Sequence, residues 1–332
     1  MPRVLLLSLG GTITMMPGAG GGIAPTLTGA DLVAAVPALK SIAEIEAVSP
    51  FRLPGASLTL AHLKDVAALI DERLASDHLT GAIVVQGTDT IEETAYALDL
   101  MVGSDKPVVV VGAMRGASAP GADGPANLLA ATVTASSPEM RGRGTVVVLN
   151  DTIHAARRVQ KMSTHLLSAF ESPGSGPIGY VVENQVHLTV RSARLGTITG
   201  GLNRLGAPVA LVTATLGDDG RILSQLPSLG YRGLVVEAMG AGHVPDVFVA
   251  HLAELVTAIP VVLSTRVASG PVFTRTYDFP GSEMDLLRRG LIHGGDIGGL
   301  KARLLLSLLL GAGISGDALA VAFARYAGGR PQ

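Results

Sequence analysis

Two short stretches of the chain place threonine hydroxyls on glycine turns. One is Leu9-Gly10-Gly11-Thr12-Ile13-Thr14; the other is Gln86-Gly87-Thr88-Asp89-Thr90-Ile91-Glu92-Glu93-Thr94. A threonine hydroxyl is a weak nucleophile unless a neighbouring group takes its proton. Asp89 supplies a carboxylate beside Thr88, and Lys161, in Arg158-Val-Gln-Lys161, supplies an amine. A lysine acts as a base only where burial or nearby charge lowers its pKa. Each feature alone also has a plain structural reading. Gly-Gly-Thr makes a tight turn with a capping hydroxyl, Thr90 with Glu93 makes a capping box that opens a helix, and Lys161 is a solvated lysine. The capping reading leaves Thr88 and Asp89 without a task.

The elements that must position these residues alternate along the chain. Val4–Ser8, Ala82–Gln86, Val108–Gly112 and Thr145–Asn150 read as buried parallel strands ending in Gly or polar residues. The spacing of Leu60, Leu63, Ala67 and Ile70 predicts a helix over Leu60–Leu74, with Thr59 as its N-cap. Ile91–Met101 and Gly124–Ser136 are further expected helices, the second with Asp123 setting a turn or cap ahead of it. From about Leu195 to Pro208 the chain is rich in Gly, Asn and Thr, as a linker is. Alternation resumes with strands over Val209–Thr213, Gly233–Ala238 and Pro260–Thr265 and helices over Asp246–Thr257, Leu300–Leu310 and Gly316–Tyr326. The expectation is an α/β protein of two domains, each with a mainly parallel sheet flanked by helices. Residues 1–191 form the N-terminal catalytic domain, 192–208 a linker and 209–332 the C-terminal domain. Ligands of such sheets sit at the carboxyl ends of the strands, where both threonine motifs fall.

Composition narrows the chemistry. The chain has 332 residues, 48% hydrophobic and 16% charged, enough for a sizeable core. Its 25 Lys and Arg against 27 Asp and Glu give a net charge of −2, without the basic excess of a nucleic-acid surface. Aromatics make up 3%, with no Trp, so stacking platforms for bases are not expected. The absence of cysteine excludes disulfides, thiolate metal sites and a cysteine nucleophile. No apolar run reaches 18 residues, so no membrane span is expected. Val4–Ser8, flanked by a single Arg, reads as a strand and not as a signal peptide, and a cytoplasmic protein is expected. No histidine pair has metal-ligand spacing; neither metal nor cofactor is expected.

Taken together, the two threonine motifs resemble the bacterial-type L-asparaginase/glutaminase amidohydrolases. The resemblance covers essentially the whole chain. It runs through Val111-Gly-Ala-Met-Arg115, Asp123-Gly-Pro125 with Asn127-Leu128, Asn150-Asp151, Arg158-Val-Gln-Lys161, Ser264-Thr-Arg266, Gly270 and Lys301-Ala-Arg303. It implies a cofactor-free enzyme that converts L-asparagine to L-aspartate and ammonia through an acyl-enzyme. Glutamine is an implied second substrate, because one methylene is worth only about 1–3 kcal/mol of selectivity. By resemblance, Thr12 beside Gly11 is the acylated nucleophile. Thr88, Asp89 and Lys161, set on the turn at Gly87, form a second constellation in which Lys161 accepts the proton and is poised by Asp89. Asp89 also holds the substrate ammonium, and Ala113 matches a backbone carbonyl close to the scissile amide. A homodimer or a homotetramer of intimate dimers is implied, with sites completed across the interface.

The sequence departs from the family pattern in three places. Relatives carry a catalytic Tyr in the lid after the first Thr, whereas the tyrosines here are Tyr96, Tyr180, Tyr231, Tyr277 and Tyr326. The glycines at 18 and 20–22 suggest a mobile lid over Ala19–Thr28, bringing Thr26, Thr28 or Tyr277 from a neighbouring subunit towards Thr12. The substrate-carboxylate loop reads Pro54-Gly55-Ala56-Ser57-Leu58-Thr59. Its backbone N–H groups at Gly55, Ala56 and Ser57, with the Ser57 hydroxyl, can bind a carboxylate; alternatively Ser57 and Thr59 merely begin the next helix. The cross-subunit Glu of relatives falls near Tyr277, and an adjoining Asn becomes His243, either a substrate contact or a packing residue.

Two other readings compete with hydrolysis. One is an amino-acid-binding or sensing protein with little turnover, against which the joint retention of Thr12, Thr88, Asp89 and Lys161 argues. The other is an ammonia-releasing subunit of a transfer-RNA-dependent amidotransferase. Relatives of that kind carry an extra N-terminal domain, and here a strand is expected from about residue 3.

Overall fold

Side chains that are apolar on both faces bury a strand on both sides, and Val4 to Leu7 are of that kind. A computed structural model describes residues 1–17, 23–190, 194–198 and 206–328. It divides into two compact units, Met1–Thr197 and Ile198–Gln332. The first opens with β1 (Arg3–Ser8), followed by a ribbon of β2 (Met15–Pro17) and β3 (Ile23–Pro25), helix α1 (Gly29–Ala35) and β4 (Glu44–Val48). Then come α2 (Leu60–Leu74), β5 (Gly81–Val85), α3 (Ile91–Met101), β6 (Val108–Val111), α4 (Gly124–Ser136) and β7 (Thr145–Leu149). The chain turns back through β8 (Thr152–Ala155), a ribbon of β9 (Gln160–Lys161) and β10 (Phe170–Glu171), and a hairpin of β11 (Gly179–Val182) and β12 (Gln185–Leu188).

These strands form one sheet in the order β12-β11-β8-β7-β6-β5-β1-β4. From β4 to β7 the pairing is parallel, and β8, β11 and β12 are antiparallel. Side chains alternate between its faces. Val4, Leu6, Ile83, Val85, Val109 and Val111 share a core with Leu32 of α1 and Leu128 of α4. Helices α2 and α3 cover the other face. The connection from β1 leads to β4 on one side, and that from β5 leads to β6 on the other. This is the switch point at which open α/β sheets form their crevice.

The second unit is a parallel sheet in the order β13 (Val209–Thr213), β14 (Gly233–Ala238), β15 (Val261–Thr265) and β16 (Ile292–His293). Helices α5 (Phe248–Leu255) and α6 (Glu283–Arg288) pack their Phe248, Leu252 and Leu286 on one face. Helices α7 (Gly298–Gly311) and α8 (Asp317–Ala327) complete the unit. Among the described residues no helix is long and apolar enough to cross a membrane.

The structure is therefore α/β, with a large mixed sheet and a separate parallel one. Helices α2, α3 and α4 have the bounds that the sequence predicts. The reversal into β8, β11 and β12 was not expected, and its cause is local. Asn150 and Asp151, at φ 50° and 56°, turn β7 back into β8, and Glu183 and Asn184, at φ 51° and 58°, do the same between β11 and β12. Two successive left-handed residues make the tight hairpin turn whose twist matches the strands.

On β8, His154 is buried and its Nδ1 lies 2.9 Å from Ser172 Oγ. Burial lowers its pKa from 6.5 to about 4, so the native state resists the proton that the unfolded chain takes up. The associated stability is complete above about pH 6.5 and is lost as the pH falls towards 4, by about 3 kcal/mol in all. We expect His154→Gln to show a smaller loss of thermal stability between pH 7 and 4 than the wild type. Equal losses in parallel melting curves would refute this assignment.

Candidate active site

Three glycines bring the loops at the carboxyl edge of the first sheet into backbone contact. At Gly11, where φ is +88°, a Cβ would lie 1.9 Å from Gly87 N. At Gly55 it would lie 3.0 Å from Gly87 O. No side chain fits at Gly11, so the segments after β1 and β5 touch directly. Leu9 N donates to Val85 O at 2.8 Å, and Leu53 N to Leu9 O at 2.8 Å, which locks the three loops in register. Thr12 follows Gly11 in the single helical turn Thr12–Thr14, held by Thr14 N and Oγ1 donating to Gly11 O. The Thr12 side chain is outside the described part of the structure.

Thr88 follows Gly87 and is buried; Asp89, next to it, is exposed. Lys161, on β9, reaches both. Its Nζ donates to Thr88 Oγ1 at 2.9 Å and lies 3.4 Å from Asp89 Oδ1. The lysine side chain is 20% exposed and the aspartate 63%, so the pair opens to water on the carboxylate side. A hydroxyl, an amine and a carboxylate in sequence form a path along which a proton can move.

Ala113, after β6, is fully buried beside the same edge, and its loop is fixed by a polar network. Asp123 accepts from Met114 N and Arg115 N, each at 2.9 Å. Asn127 Nδ2 donates to Gly112 O at 3.0 Å and to Asp123 Oδ2 at 2.9 Å, while Asn127 Oδ1 accepts from Asn150 N at 2.9 Å. Asp123 is the N-cap residue of α4, yet its carboxylate serves the β6 loop and makes no side-chain cap.

Gly55, Ala56 and Ser57 form a single 3-10 turn, in which Gly55 is buried and Ala56 and Ser57 are exposed. Thr59, not Ser57, caps the following helix, in a capping box with His62. Of the expected lid, residues 19–22 lie outside the described residues. Thr28 caps α1, its hydroxyl donating to Asp31 Oδ2 at 2.6 Å and accepting from Asp31 N, which engages one of the three proposed substitutes for the missing tyrosine.

His243 and Tyr277 belong to the second unit, where they meet edge to face with ring centroids 4.7 Å apart. Phe279 completes the cluster, and Tyr277 and Phe279 are exposed. Beneath them Glu283 is fully buried, with Oε2 3.3 Å from His243 Nε2. Burial opposes its charge, but N–H donors from Tyr277 and Thr276, with His243 nearby, hold its pKa below the usual carboxylate value.

Comparison with known proteins gives this geometry its context. The family described as Asparaginase, N-terminal matches residues 3–194, and the Glutaminase/Asparaginase C-terminal domain matches residues 208–323. The chain belongs to the asparaginase family. It is 34% identical to an L-asparaginase of Bacillus licheniformis, over 93% of this chain and 95% of that one. It is 36% identical to a probable L-asparaginase of Deinococcus radiodurans, over 95% of each. A probable periplasmic L-asparaginase of Haemophilus influenzae is 34% identical, over 93% of this chain and 89% of that one.

The supporting residues of this asparaginase-family chain are not legible from local sequence. Asn127 stands out in the sequence only through a resemblance, and its role as the joint between β6, β7 and α4 depends on contacts far apart in sequence. By local pattern Gln86 is a strand end and Thr90 a cap. Asn127→Leu keeps the branched shape but leaves Gly112 O and Asn150 N without their partner, and unpaired buried groups cost about 1–3 kcal/mol each. We expect urea unfolding to report a loss of about 2–5 kcal/mol. A loss under 1 kcal/mol would mean the network carries no weight.

Proposed function

We propose that the chain hydrolyses L-asparagine to L-aspartate and ammonia, with L-glutamine as a slower substrate. The observation that carries the reading is Lys161 Nζ at 2.9 Å from Thr88 Oγ1 and 3.4 Å from Asp89 Oδ1, at the carboxyl edge of an asparaginase-family sheet. In this reading the Thr12 hydroxyl attacks the carboxamide carbon, its proton goes to the departing nitrogen, and ammonia leaves an ester on Thr12. Water then attacks the ester, giving up a proton through Thr88 to the free amine of Lys161; the C–O bond to Thr12 breaks, the Lys161 ammonium returns that proton through Thr88 to the Thr12 oxygen, and aspartate departs, its new carboxyl losing the remaining water proton to solvent. As the amine, Lys161 accepts from Thr88, the reverse of the donation made by its ammonium. Asp89 poises Lys161 and pairs with the substrate ammonium, and the N–H groups of Gly55, Ala56 and Ser57 hold the substrate carboxylate. Ala113 supplies a carbonyl near the amide nitrogen.

Residence in the cytoplasm and assembly into a homodimer or homotetramer belong to the same proposal. Assembly is supported by the exposed apolar side chains Phe273, Tyr277 and Phe279, which suit a surface covered by another copy. His243 and Tyr277 would then act on substrate from that copy.

The test is ammonia release from L-Asn, L-Gln and D-Asn. Thr12→Ala, Thr88→Ala and Lys161→Met should each lower kcat by about a thousandfold or more without lowering Tm. Wild-type kinetics in Thr12→Ala would remove it as the nucleophile. Tyr277→Phe should lower kcat at least about tenfold, equivalent to about 1.4 kcal/mol of barrier, if its hydroxyl replaces the lid tyrosine. A silent Tyr277→Phe leaves that part to Thr26 or Lys161.

A further inference from the structure

Thr90 breaks a local rule. It stands at the N-cap of α3 with Glu93 three residues on, the pattern of a capping box, yet its hydroxyl makes no cap. It instead donates to Gly55 O at 3.0 Å, across 35 residues of sequence. The same hydroxyl accepts from Gln86 Nε2 at 3.2 Å. Gln86 is 1% exposed, and its amide also donates to Gly87 O at 3.2 Å. Gly55 O receives a second bond from Leu58 N at 3.2 Å, which closes the turn of Gly55–Ser57. The strand end at Gln86, the helix start at Thr90 and the turn at Gly55 are thus one hydrogen-bonded unit.

We propose that Thr90, oriented by Gln86, is a positioning residue that sets the turn of Gly55–Ser57 at its working distance from Asp89. This rests on the reading that the turn holds the substrate carboxylate and Asp89 its ammonium. Those two groups sit on one carbon of the amino acid, so their separation is fixed by covalent geometry and the protein must match it. The glycine contact at Gly55 and Gly87 limits how near the loops come, and the Thr90 hydroxyl stops them parting. The amide end of the substrate lies outside this clamp. Its loss therefore weakens binding of the head group and leaves the chemical step nearly intact. A local sequence signal overridden in favour of a bond between two binding loops is the pattern expected of a functional constraint.

The experiment compares wild type, Thr90→Val and Thr90→Ser with L-Asn, measuring kcat, KM and Tm. Thr90→Val keeps the shape and loses both hydrogen bonds. We expect its KM to rise about tenfold or more with kcat within about threefold, and Thr90→Ser to restore both to within about twofold. Should Thr90→Val fail to fold, Thr90→Ala, without the same bulk, takes its place. Loss of the fold in both overturns the proposal in favour of a purely structural bond. It is also overturned by an unchanged KM, by a fall in kcat as large as the rise in KM, or by failure of the serine to rescue. If the wild type releases no ammonia, the proposed hydrolysis fails separately. Calorimetric titration of wild type and Thr90→Val with L-aspartate then decides the clamp: affinity weakened about tenfold supports it, and equal affinity or no binding to either overturns it.

Discussion

A Cβ on Gly11 would have to share space with Gly87, 1.9 Å from its nitrogen, and much of the site follows from that exclusion. The loops leaving β1 and β5 are pressed together without side chains between them, at the point where the sheet connections diverge. The residue after each glycine is a threonine. Two threonines 76 positions apart, counted as 88 − 12, thereby start from adjacent backbone. Substitution at Gly11 would force the loops apart and meet the strain of its left-handed φ as well. The contact is a matter of sterics, and it places the polar groups before any hydrogen bond between side chains is formed.

The polar groups are then held by partners of unequal reach. Lys161 comes from a two-stranded ribbon outside the main sheet, so its grip on Thr88 depends on a small element. The loop of Ala113 is instead fastened by Asp123 and Asn127, both buried, from the start of a thirteen-residue helix. Buried networks whose members are satisfied hold their geometry more tightly than exposed pairs, since water cannot compete for them. The carboxyl edge thus joins a fixed floor to a more open pair of Lys161 and Asp89, which water reaches from the carboxylate side.

Much of this was legible in the sequence where local patterns and tertiary needs agree. Leu63, Ala67 and Ile70 recur at helical spacing and are buried, so α2 has its predicted bounds. The strands β1, β5, β6 and β7 are buried along nearly their whole length, and their β-branched and leucine-rich runs gave them away. The hairpins are less legible, because their turns place non-glycine pairs, Asn150-Asp151 and Glu183-Asn184, in the left-handed region without the glycine that usually marks such a turn. At Thr90 a correct local signal placed the helix start but misassigned the hydroxyl, since the competing acceptor is on another loop. The edge-to-face meeting of His243 with Tyr277 was equally hidden: the residues are 34 apart, counted as 277 − 243, and no periodicity links them.

The place of β1 within the sheet also has a bearing on how the chain is made. Its neighbours, β4 and β5, both come later in the sequence, and Thr80 N bonds back to Arg3 O across 77 residues. A ribosome adding about 5–20 residues per second needs roughly 4–15 s to cover that distance. Until then one of the most apolar strands in the protein lacks β5, and it lacks β4 as well until the chain has passed Glu44–Val48. The yield of native protein is consequently decided in part during translation, by how long Val4–Leu7 stays uncovered and what shields it meanwhile, independently of how stable the finished sheet is.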